Sequence, residues 1–349
     1  MSLNPAPPSA GTVSRTVLVV AILVTAGVAV AGTAIAYDLL PRHAGEVTVV
    51  DDLGRPVDAP LNASRIVVLA PSIMDIVYRL GLRDRVVGIG CTVGEAGGME
   101  NEYAPNQTSL WGLNDSLCIT DFPTLDTERV ATLQPQLVLA STITSAQQVQ
   151  QLTDTYGLPV VILAPSTLSG IVDDVAIVAQ LFPVAAATAT ALEESLDAAI
   201  VNATNFDTYL SNGSVAIPTV FLTYGFYAGE YYTFGPGTFG QSLVDLAGGD
   251  SLSAGLPLAY EGVNATAILA DQPQVILFGT SWNDPYLVAN QTPSVWASSA
   301  PYWSQLNGSK IAVDVTILTE PDPTMVLALP WYLYDLHPTL YPKPSGSPP

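Results

Sequence analysis

The chain has 349 residues, of which 49% are hydrophobic and 12% are charged, and its length is sufficient for two domains that each have a core. Its formal net charge is −21, from 31 acidic and 10 basic residues, which excludes nucleic acid as a partner because so few cations cannot neutralise a run of phosphates. The high hydrophobic content excludes a disordered chain.

The first predicted element is the uncharged apolar segment Thr16–Tyr37, which is long enough to cross a bilayer as a helix. Its length favours an uncleaved N-terminal transmembrane helix, so that residues 1–43 form a membrane anchor and stalk. A signal peptide cut after Ala31 or Ala36 is the alternative, because small residues precede both positions. No cysteine lies directly after the segment, which excludes a lipid-anchored bacterial lipoprotein.

Glycosylation sequons and cysteines indicate the side of the membrane on which the body lies. Eight N-x-S/T sequons are spread over the body, at Asn62, Asn106, Asn114, Asn202, Asn212, Asn264, Asn290 and Asn307. Such a distribution is typical of a glycosylated exterior domain. Cys91 and Cys118 either form one disulfide in an oxidising space or are two buried free thiols. We therefore expect a body on the extracellular face of the cell membrane.

Residues 44–170 are expected to form a first α/β lobe. A hairpin is predicted after Gly45, strands over 65–70, 86–90, 137–140 and 159–163, and helices beginning at Pro71, with Ser72 as N-cap, and over 144–156. This alternation predicts a mainly parallel, doubly wound sheet. Ligands of such sheets bind at the carboxyl ends of the strands, here near Ser72, Cys91 and Ser141. The long segment from Cys91 to Phe122, which contains Trp111, has no clear periodicity and is expected to be a functional loop.

A long helix is predicted over 183–203, within a linking segment at 171–207. Pro183 suits a first helical turn, and apolar residues recur three to four positions apart at Ala185, Ala189, Leu192, Leu196 and Ile200. A rod of this kind between two α/β halves predicts two lobes with a cleft between them. The alternative is an ordinary packing helix within one larger domain.

Residues 208–342 repeat the strand and helix alternation and form the expected second lobe, followed by a flexible tail at 343–349. A strand is predicted over 215–223, and a Gly-rich loop then brings a helix N-terminus and four tyrosines to one edge: Tyr224, Tyr227, Tyr231 and Tyr232. Gly235, Gly237 and Gly240 make a literal G-x-G-x-x-G, but one such match, with a proline in its turn, is a weak indication of a dinucleotide site. Further strands are predicted over 274–278 and 311–315, and a final helix over 323–337 is predicted to be kinked at Pro330.

Several segments, in this order, resemble the substrate-binding proteins of ABC importers for iron-siderophores, haem and vitamin B12, the helical-backbone class of periplasmic binding proteins. They include VTVVDDLGRPV, RIVVLAPSIMDIVYRLGLRDRVVGIG, LQPQLVLAS, FGPGTFGQSLVDLAGGDSL, QPQVILFG and LYDLHPTLYP, and they span roughly residues 46–342. The resemblance implies two Rossmann-like α/β lobes joined by one long backbone helix. It also implies little lobe closure and a permease, with its ATPase, as partner.

The same resemblance suggests how the permease would be contacted. Members of the class carry one acidic residue on each lobe that docks onto arginines of the permease, and the matching positions here hold Asp75 and Asp245. The class more often has glutamate at these positions, so the two aspartates could instead be ordinary solvated acids on helix surfaces.

The distribution of charged and aromatic residues narrows the expected ligand. No base lies between Arg129 and Lys310, whereas polyanionic ferric chelates usually need arginine clamps. The expected cleft residues are Ser72, Trp111, Ser141, Tyr224, Tyr227, Tyr231, Phe234 and Trp282. Such a lining suits a large, nearly neutral cobalt or iron chelate, with a corrinoid favoured and a hydroxamate siderophore or haem as alternatives. The aromatic residues could equally belong to the core.

Other functions find less support in the sequence. His43 and His337 lie in the stalk and near the tail, so we expect no histidine-rich metal site, no Ser-His-Asp centre and no enzyme activity. No cofactor is expected apart from the chelate itself, and the protein is expected to act as a monomer. A third interpretation of the sequence is a glycosylated surface protein without a transport role.

Overall fold

The computed structural model describes residues 45–93, 99–100, 115–122, 124–213, 215–280 and 292–346. The predicted transmembrane segment Thr16–Tyr37 lies outside these ranges. Within them, no single helix is both long and apolar enough to cross a membrane. The consecutive helices Leu168–Leu181 and Pro183–Asn212 reach that length and hydropathy together, but a bend of 117° separates them.

The first half of the chain contains a hairpin and a six-stranded, mainly parallel sheet. The hairpin consists of β1 (Glu46–Val50) and β2 (Pro56–Pro60), as predicted. The sheet strands are β3 (Ile66–Val68), β4 (Val86–Val93), β5 (Met99–Glu100), β6 (Cys118–Phe122), β7 (Leu137–Ala140) and β8 (Val160–Ile162). Their order is β5–β4–β3–β7–β8, with β6 also paired to β4. β5 runs antiparallel to β4, and the other pairs are parallel.

Strands β3, β7 and β8 are buried at every residue. Continuous apolar strands of this kind are typical of a parallel sheet that is covered on both faces. The described residues of this half contain the α-helices α1 (Pro71–Arg79), α2 (Thr127–Thr132), α3 (Ala146–Gln150, continued as a π-helix over Gln151–Thr155) and α4 (Leu168–Leu181). The prediction that Ser72 caps α1 is wrong, because Ala70 is the N-cap and Pro71 occupies the first turn. Proline suits that position because its missing N–H has no partner to lose there.

A 3₁₀ turn over Pro183–Ala185 leads into α5 (Ala186–Asn212), the helix that connects the two halves. Its 27 residues make a rod about 40 Å long. The buried positions of α5 are spaced seven residues apart, at Ala189, Leu196, Ala203 and Leu210. This stripe faces α4 and the C-terminal helices of the chain.

The long helix extends further than the predicted range of 183–203. Several residues after Ala203, among them Thr204 and Thr208, have low helix propensity. Local propensity alone therefore favours a helix that ends near Ala203. Phe206 and Leu210 nevertheless continue the packed face, and the Phe206 ring lies 5.2 Å from the ring of His337. Tertiary packing therefore overrides local propensity here.

The second half contains another six-stranded sheet. Its strands are β9 (Thr219–Tyr227), β10 (Glu230–Phe234), β11 (Asp250–Ser251), β12 (Tyr260–Asn264), β13 (Val275–Thr280) and β14 (Ser309–Asp314). The order is β12–β10–β9–β13–β14, with β11 also paired to β9. The pairs among β9, β11, β13 and β14 are parallel, whereas β10 and β12 extend the sheet in antiparallel fashion.

The tyrosine-rich segment forms a β-hairpin from β9 and β10, not the predicted loop. Its tight turn has positive φ angles at both central residues, 51° at Ala228 and 88° at Gly229. Two successive positive φ angles match the right-handed twist of paired strands, so this turn favours a hairpin. The strand predicted over 215–223 begins later, after Pro218, and it continues to Tyr227, where the hairpin turn starts.

Six α-helices follow α5 within the described residues of the second half. They are α6 (Phe239–Leu246), α7 (Ala265–Asp271), α8 (Pro293–Ser299), α9 (Val315–Thr319), α10 (Pro323–Leu327) and α11 (Leu329–Leu336). The predicted kink at Pro330 is a complete break between α10 and α11, because proline has no N–H to continue the helix.

One hydrophobic core joins the two halves. It contains buried residues of β3, α1 and α4 from the first half, of α5, and of α6, α10 and α11 from the second half. Two smaller clusters cover the remaining faces of the two sheets. In the first sheet, Cys91 and Cys118 form a disulfide between β4 and β6, with their Cα atoms 5.5 Å apart.

Candidate ligand-binding cleft

A cleft of about 460 Å³ lies between the two halves, and both contribute to its walls. The first half contributes the residues that follow β3, β7 and β8, including Ala70, Ser72, Ser141 and Leu163. This is the edge at which parallel strands present their carboxyl ends, and the sequence predicted a site there from Ser72 and Ser141. Cys91 was predicted near the same edge, but it lies inside β4 in the disulfide and does not line the cleft.

The wall from the second half is aromatic and consists of Tyr224, Phe234, Phe239 and Tyr260. The rings contact one another around Phe234, whose ring centroid lies 4.8 Å from that of Tyr224, 5.1 Å from that of Phe239 and 5.9 Å from that of Tyr260. Tilted ring pairs at these distances stabilise each other and hold a rigid surface. The wall therefore offers a preformed apolar face to a ligand.

Neutral hydroxyl groups provide most of the polar chemistry of the cleft. Ser72, Ser141, Thr142, Thr238 and Thr319 line it together with the phenols of Tyr224 and Tyr260. Burial raises the pKa of Tyr224, with smaller contributions from Tyr260 and Tyr232, and burial likewise raises the pKa of Tyr260. Both phenols therefore stay protonated at physiological pH and can donate hydrogen bonds.

One carboxylate, Glu320, is the only charged side chain among the described residues that line the cleft. Its Oε2 accepts a hydrogen bond of 3.1 Å from the backbone N–H of Ser72, in the first turn of α1. A second hydrogen bond between the halves runs from the backbone N–H of Leu168, at the start of α4, to Oγ of Ser242 on α6 at 3.3 Å. Direct hydrogen bonds thus connect the halves at α1 and again at α4.

The fold itself requires glycine at two positions of the Gly-rich segment. Gly237 lines the cleft and has a φ of 76°, which side-chain-bearing residues rarely adopt. A Cβ on Gly240 would lie 2.4 Å from the Phe234 ring, so this glycine lets α6 pack against the aromatic wall. These requirements explain the glycines without a bound dinucleotide.

Two of the predicted cleft tyrosines lie elsewhere. Tyr231 is 1% exposed, stacks against Trp296 and donates a hydrogen bond to the carbonyl of Pro301, so it is a core residue. Tyr227 is 73% exposed at the end of β9 and does not line the cleft. Trp111 and Trp282, the two predicted tryptophans, lie outside the described residues.

The two predicted docking acids differ in accessibility. Asp75 is 3% exposed, and its Oδ2 accepts a hydrogen bond from Nε of Arg79 at 2.7 Å. Asp75 is therefore not an ordinary solvated acid, because it is used in a buried ion pair, and its docking role stays a prediction. Asp245 is exposed on α6, where Nε2 of Gln241 donates to its Oδ1.

None of the described basic side chains lines the cleft. Arg55 pairs with Asp51, Arg65 donates to the carbonyl of Leu133, and Arg85 donates to that of Asn62. His337 is buried, with Nε2 at 3.0 Å from the carbonyl oxygen of Gly248. In the described part of the chain, no group of three or more His, Cys, Asp or Glu side chains could hold a metal ion.

Several residues that line the cleft were not predicted from the sequence, including Tyr260, Phe239, Pro165 and Glu320. Phe239 directly follows the Gly-rich turn that delivers the predicted site residues, so its position was a usable signal. Glu320 comes from a segment near the C-terminus, and no local pattern places it beside Ser72. It is brought there by the packing of α9 and α10.

Comparison with known proteins places this fold in a family. A family model for the periplasmic binding proteins matches residues 66–306, which is more than half of the chain. The chain belongs to the periplasmic binding protein family. Members of this family bind small chelates and deliver them to ABC permeases, and they are not enzymes.

Individual relatives of this binding protein are distant in sequence. It is 26% identical over 286 residues to a cobalamin-binding protein of Halobacterium salinarum, a match that covers 80% of this chain and 71% of the relative. The crystal structure of the periplasmic vitamin B12 binding protein BtuF of Vibrio cholerae aligns with a TM-score of 0.60 at 20% identity, over 79% of this chain and 98% of that one. The periplasmic haem-binding protein RhuT from Roseiflexus sp. RS-1 aligns with a TM-score of 0.60 at 21% identity, over 79% and 99%. The two structural likenesses show the fold alone.

Proposed function

We propose that this protein is the extracytoplasmic receptor of an ABC importer for a corrinoid, a cobalt chelate of the vitamin B12 type. The observation that carries the choice of ligand is the cleft itself, which has an aromatic wall and several neutral hydroxyls but no lining cation among the described residues. A corrinoid presents a broad apolar ring edge together with uncharged amide groups, which such a lining complements. The similarity to the cobalamin-binding protein of Halobacterium salinarum supports the same choice.

A ferric siderophore or haem receptor is the second candidate. The structural similarity to a haem-binding protein is the reason to consider haem as a ligand. Neutral ferric hydroxamates are considered because they share the low charge of corrinoids. Haem carries two propionates, which proteins commonly pair with arginine or lysine. The lack of a lining cation therefore favours the corrinoid over haem.

We further propose that Thr16–Tyr37 anchors the protein in the cell membrane with the body on the extracellular face. The disulfide between Cys91 and Cys118 supports an oxidising compartment. The five sequons within the described residues all have exposed asparagines, at Asn62, Asn202, Asn212, Asn264 and Asn307. Glycans could therefore be attached at each of them without disturbing the core.

Isothermal titration calorimetry of the full-length protein in detergent tests the ligand assignment. The panel contains cyanocobalamin, a ferric hydroxamate, a ferric catecholate and haem. We expect sub-micromolar binding of cyanocobalamin and much weaker binding of the catecholate. Tighter binding of a ferric chelate or haem would mean that the protein functions in iron acquisition and not in corrinoid uptake. Binding of none of the four would favour a glycosylated surface protein without a transport role.

A further inference from the structure

We propose that Ile143 and Tyr260 hold the ligand at the mouth of the cleft from opposite sides, so that the protein selects ligands whose apolar edge reaches both side chains. This inference rests on the proposed function, because it assumes that the cleft between the two halves holds a chelate. It goes further by assigning ligand contact and selectivity to one pair of residues.

The cleft has a buried floor and an exposed mouth. The large apolar side chains of the floor, Leu163, Phe234 and Phe239, are at most 6% exposed. Among the described residues that line the cleft, Ile143 and Tyr260 differ from these, because they are 65% and 55% exposed. One belongs to the first half of the chain and the other to the second. A ligand that fills the mouth would remove both from water, and the burial of apolar area favours binding.

Ile143 occupies a turn position that isoleucine does not favour. It is the third residue of a tight turn in which the N–H of Thr144 donates to the carbonyl of Ser141 at 3.2 Å, and its own N–H donates to Oγ of Ser141 at 3.3 Å. Such turns favour Gly, Asn, Asp and Ser, whereas a β-branched residue favours strands. Ile143 is also absent from the hydrophobic clusters of the described residues. A local preference that is broken without a gain in packing indicates a functional residue.

Tyr260 is held at the same opening by the aromatic wall. It is the first residue of β12 and pairs with Phe234 of β10. The centroids of the two rings lie 5.9 Å apart and their planes make an angle of 71°, an edge-to-face contact that restrains the tyrosine ring. Both side chains of the pair are therefore in position before a ligand arrives, so binding orders little of the protein.

The pair predicts which ligands bind well. A chelate small enough to stay on the floor of the cleft touches neither side chain, whereas one with a broad apolar edge at the mouth touches both. Because the two side chains lie on opposite walls, the loss of one lets the ligand shift away from the other. Their combined effect on affinity should therefore be smaller than the product of the two separate effects.

The first test measures the affinity of the full-length protein for cyanocobalamin by calorimetry, together with melting temperatures. Ile143→Ser should weaken binding about 10-fold, because the apolar contact is lost. It should not lower the melting temperature, because serine suits the turn. Ile143→Leu keeps an apolar contact and should bind within about threefold of the wild type. The matched control is Val184→Ser, which changes an apolar side chain of 66% exposure outside the cleft and should keep the wild-type affinity.

The second test combines Ile143→Ser with Tyr260→Ala. Each single change should weaken binding about 10-fold, and the double variant should lose about 30-fold, not the roughly 100-fold that independent contacts would give. Ile143→Ser combined with Tyr227→Ala is the control, because Tyr227 lies outside the cleft, and it should show the effect of Ile143→Ser alone. A loss of 100-fold in the first double variant would show that the two side chains do not hold the ligand together, and would overturn the inference.

Wild-type affinity in Ile143→Ser would also overturn the inference. If uptake by whole cells nevertheless fell in that variant, the exposed isoleucine would contact the permease and not the ligand. If the wild type does not bind cyanocobalamin, the corrinoid proposal fails, and the same variants are measured with whichever of ferrioxamine B and haem binds. The same pattern of losses would then support the inference independently of the corrinoid assignment, and binding of none of the three probes would reject both.

Discussion

The hydroxyl of Thr324 on α10 donates a hydrogen bond to Oδ2 of Asp75 on α1 at 3.1 Å, across the boundary between the two halves of the chain. Nη2 of Arg79 donates to the same hydroxyl at 2.9 Å, and its Nε donates to Asp75. Three side chains from two distant segments therefore form one buried network. Removing a single member of such a network leaves a charge without its partner.

We accordingly predict that Arg79→Met lowers the free energy of unfolding by about 3 kcal/mol, because the Asp75 carboxylate would remain buried without its cation. The double variant Asp75→Asn/Arg79→Met should recover most of this loss, since no unpaired charge remains. Urea unfolding monitored by circular dichroism measures both values. A single variant as stable as the wild type would mean that the ion pair contributes nothing to the stability of the fold.

The aromatic wall yields a prediction about binding. Tyr260→Ala should weaken the binding of cyanocobalamin about 10-fold, because this ring lines the cleft and is half exposed there. Tyr224→Phe, which removes only a hydroxyl, should weaken binding by a smaller factor of about five. Tyr227→Ala is the control, since this tyrosine is exposed outside the cleft. If Tyr227→Ala weakened binding as much as Tyr260→Ala, the assignment of the wall would be wrong.

One buried carboxyl group, Asp174, predicts a pH dependence of stability. Asp174 is 1% exposed, and burial, followed by the charge of Asp52, raises its pKa to about 9. The folded protein therefore holds a proton that the unfolded chain loses above about pH 4, and stability should decrease as the pH rises from there towards about 9.

Asp174→Asn should remove this component of the pH dependence. Melting temperatures measured between pH 5 and pH 9 should fall less steeply in the variant than in the wild type, where one proton accounts for at most about 1.4 kcal/mol per pH unit. The comparison with the wild type at each pH separates this effect from the general repulsion of an acidic protein. Parallel curves for the two proteins would show that Asp174 does not hold the proton.

The disulfide closes a loop across a sequence separation of 27 residues. Replacing both cysteines, as Cys91→Ala/Cys118→Ala, should lower the free energy of unfolding by about 3 kcal/mol, because the unfolded chain regains the freedom that the cross-link removes. Chemical denaturation of the variant and of the wild type, without reductant, measures the difference. Adding reductant should not destabilise the variant further, and such a loss would reveal an effect unrelated to this bond.

Asp245, the acidic docking position predicted on the second lobe, is open to solvent. Asp245→Ala should reduce uptake by the proposed importer while leaving ligand affinity unchanged, because Asp245 lies on the surface of α6 and not in the cleft. Asp271→Ala, at the exposed end of α7, is a control for the loss of one surface charge. Uptake assays in whole cells and calorimetry of the purified protein separate the two effects. Normal uptake with Asp245→Ala would remove Asp245 from the docking surface.

Local patterns predicted much of the fold because strand and helix periodicities are properties of neighbouring residues. The alternation around β3, β7 and β8 and the rod of α5 are of this kind. Within the tyrosine-rich segment, the error was to predict a loop where a hairpin forms. Once β10 is recognised as a strand, Tyr231 and Phe234 lie three residues apart and face opposite sides of the sheet, one in the core and one in the cleft.

The parts of the site that could not be predicted depend on contacts between distant segments. Asp75 and Thr324 are 249 residues apart in sequence, and nothing beside Asp75 indicates that a hydroxyl and a guanidinium will bury it. The position of Glu320 beside Ser72, 248 residues away, has the same origin. Single-sequence periodicity contains no information on such pairs, so both the burial of Asp75 and the position of Glu320 appear only in the folded chain.

Two of the hydrogen bonds between the halves, from Ser72 to Glu320 and from Leu168 to Ser242, have a kinetic consequence. The cleft cannot widen without breaking at least one of them, so a ligand entering it meets a surface that needs little ordering. We expect association to be governed by diffusion to this opening, and spontaneous release to be slow once the chelate is seated. In the proposed importer, parting the halves to discharge the cargo would then require mechanical work, which ATP hydrolysis by its ATPase would supply.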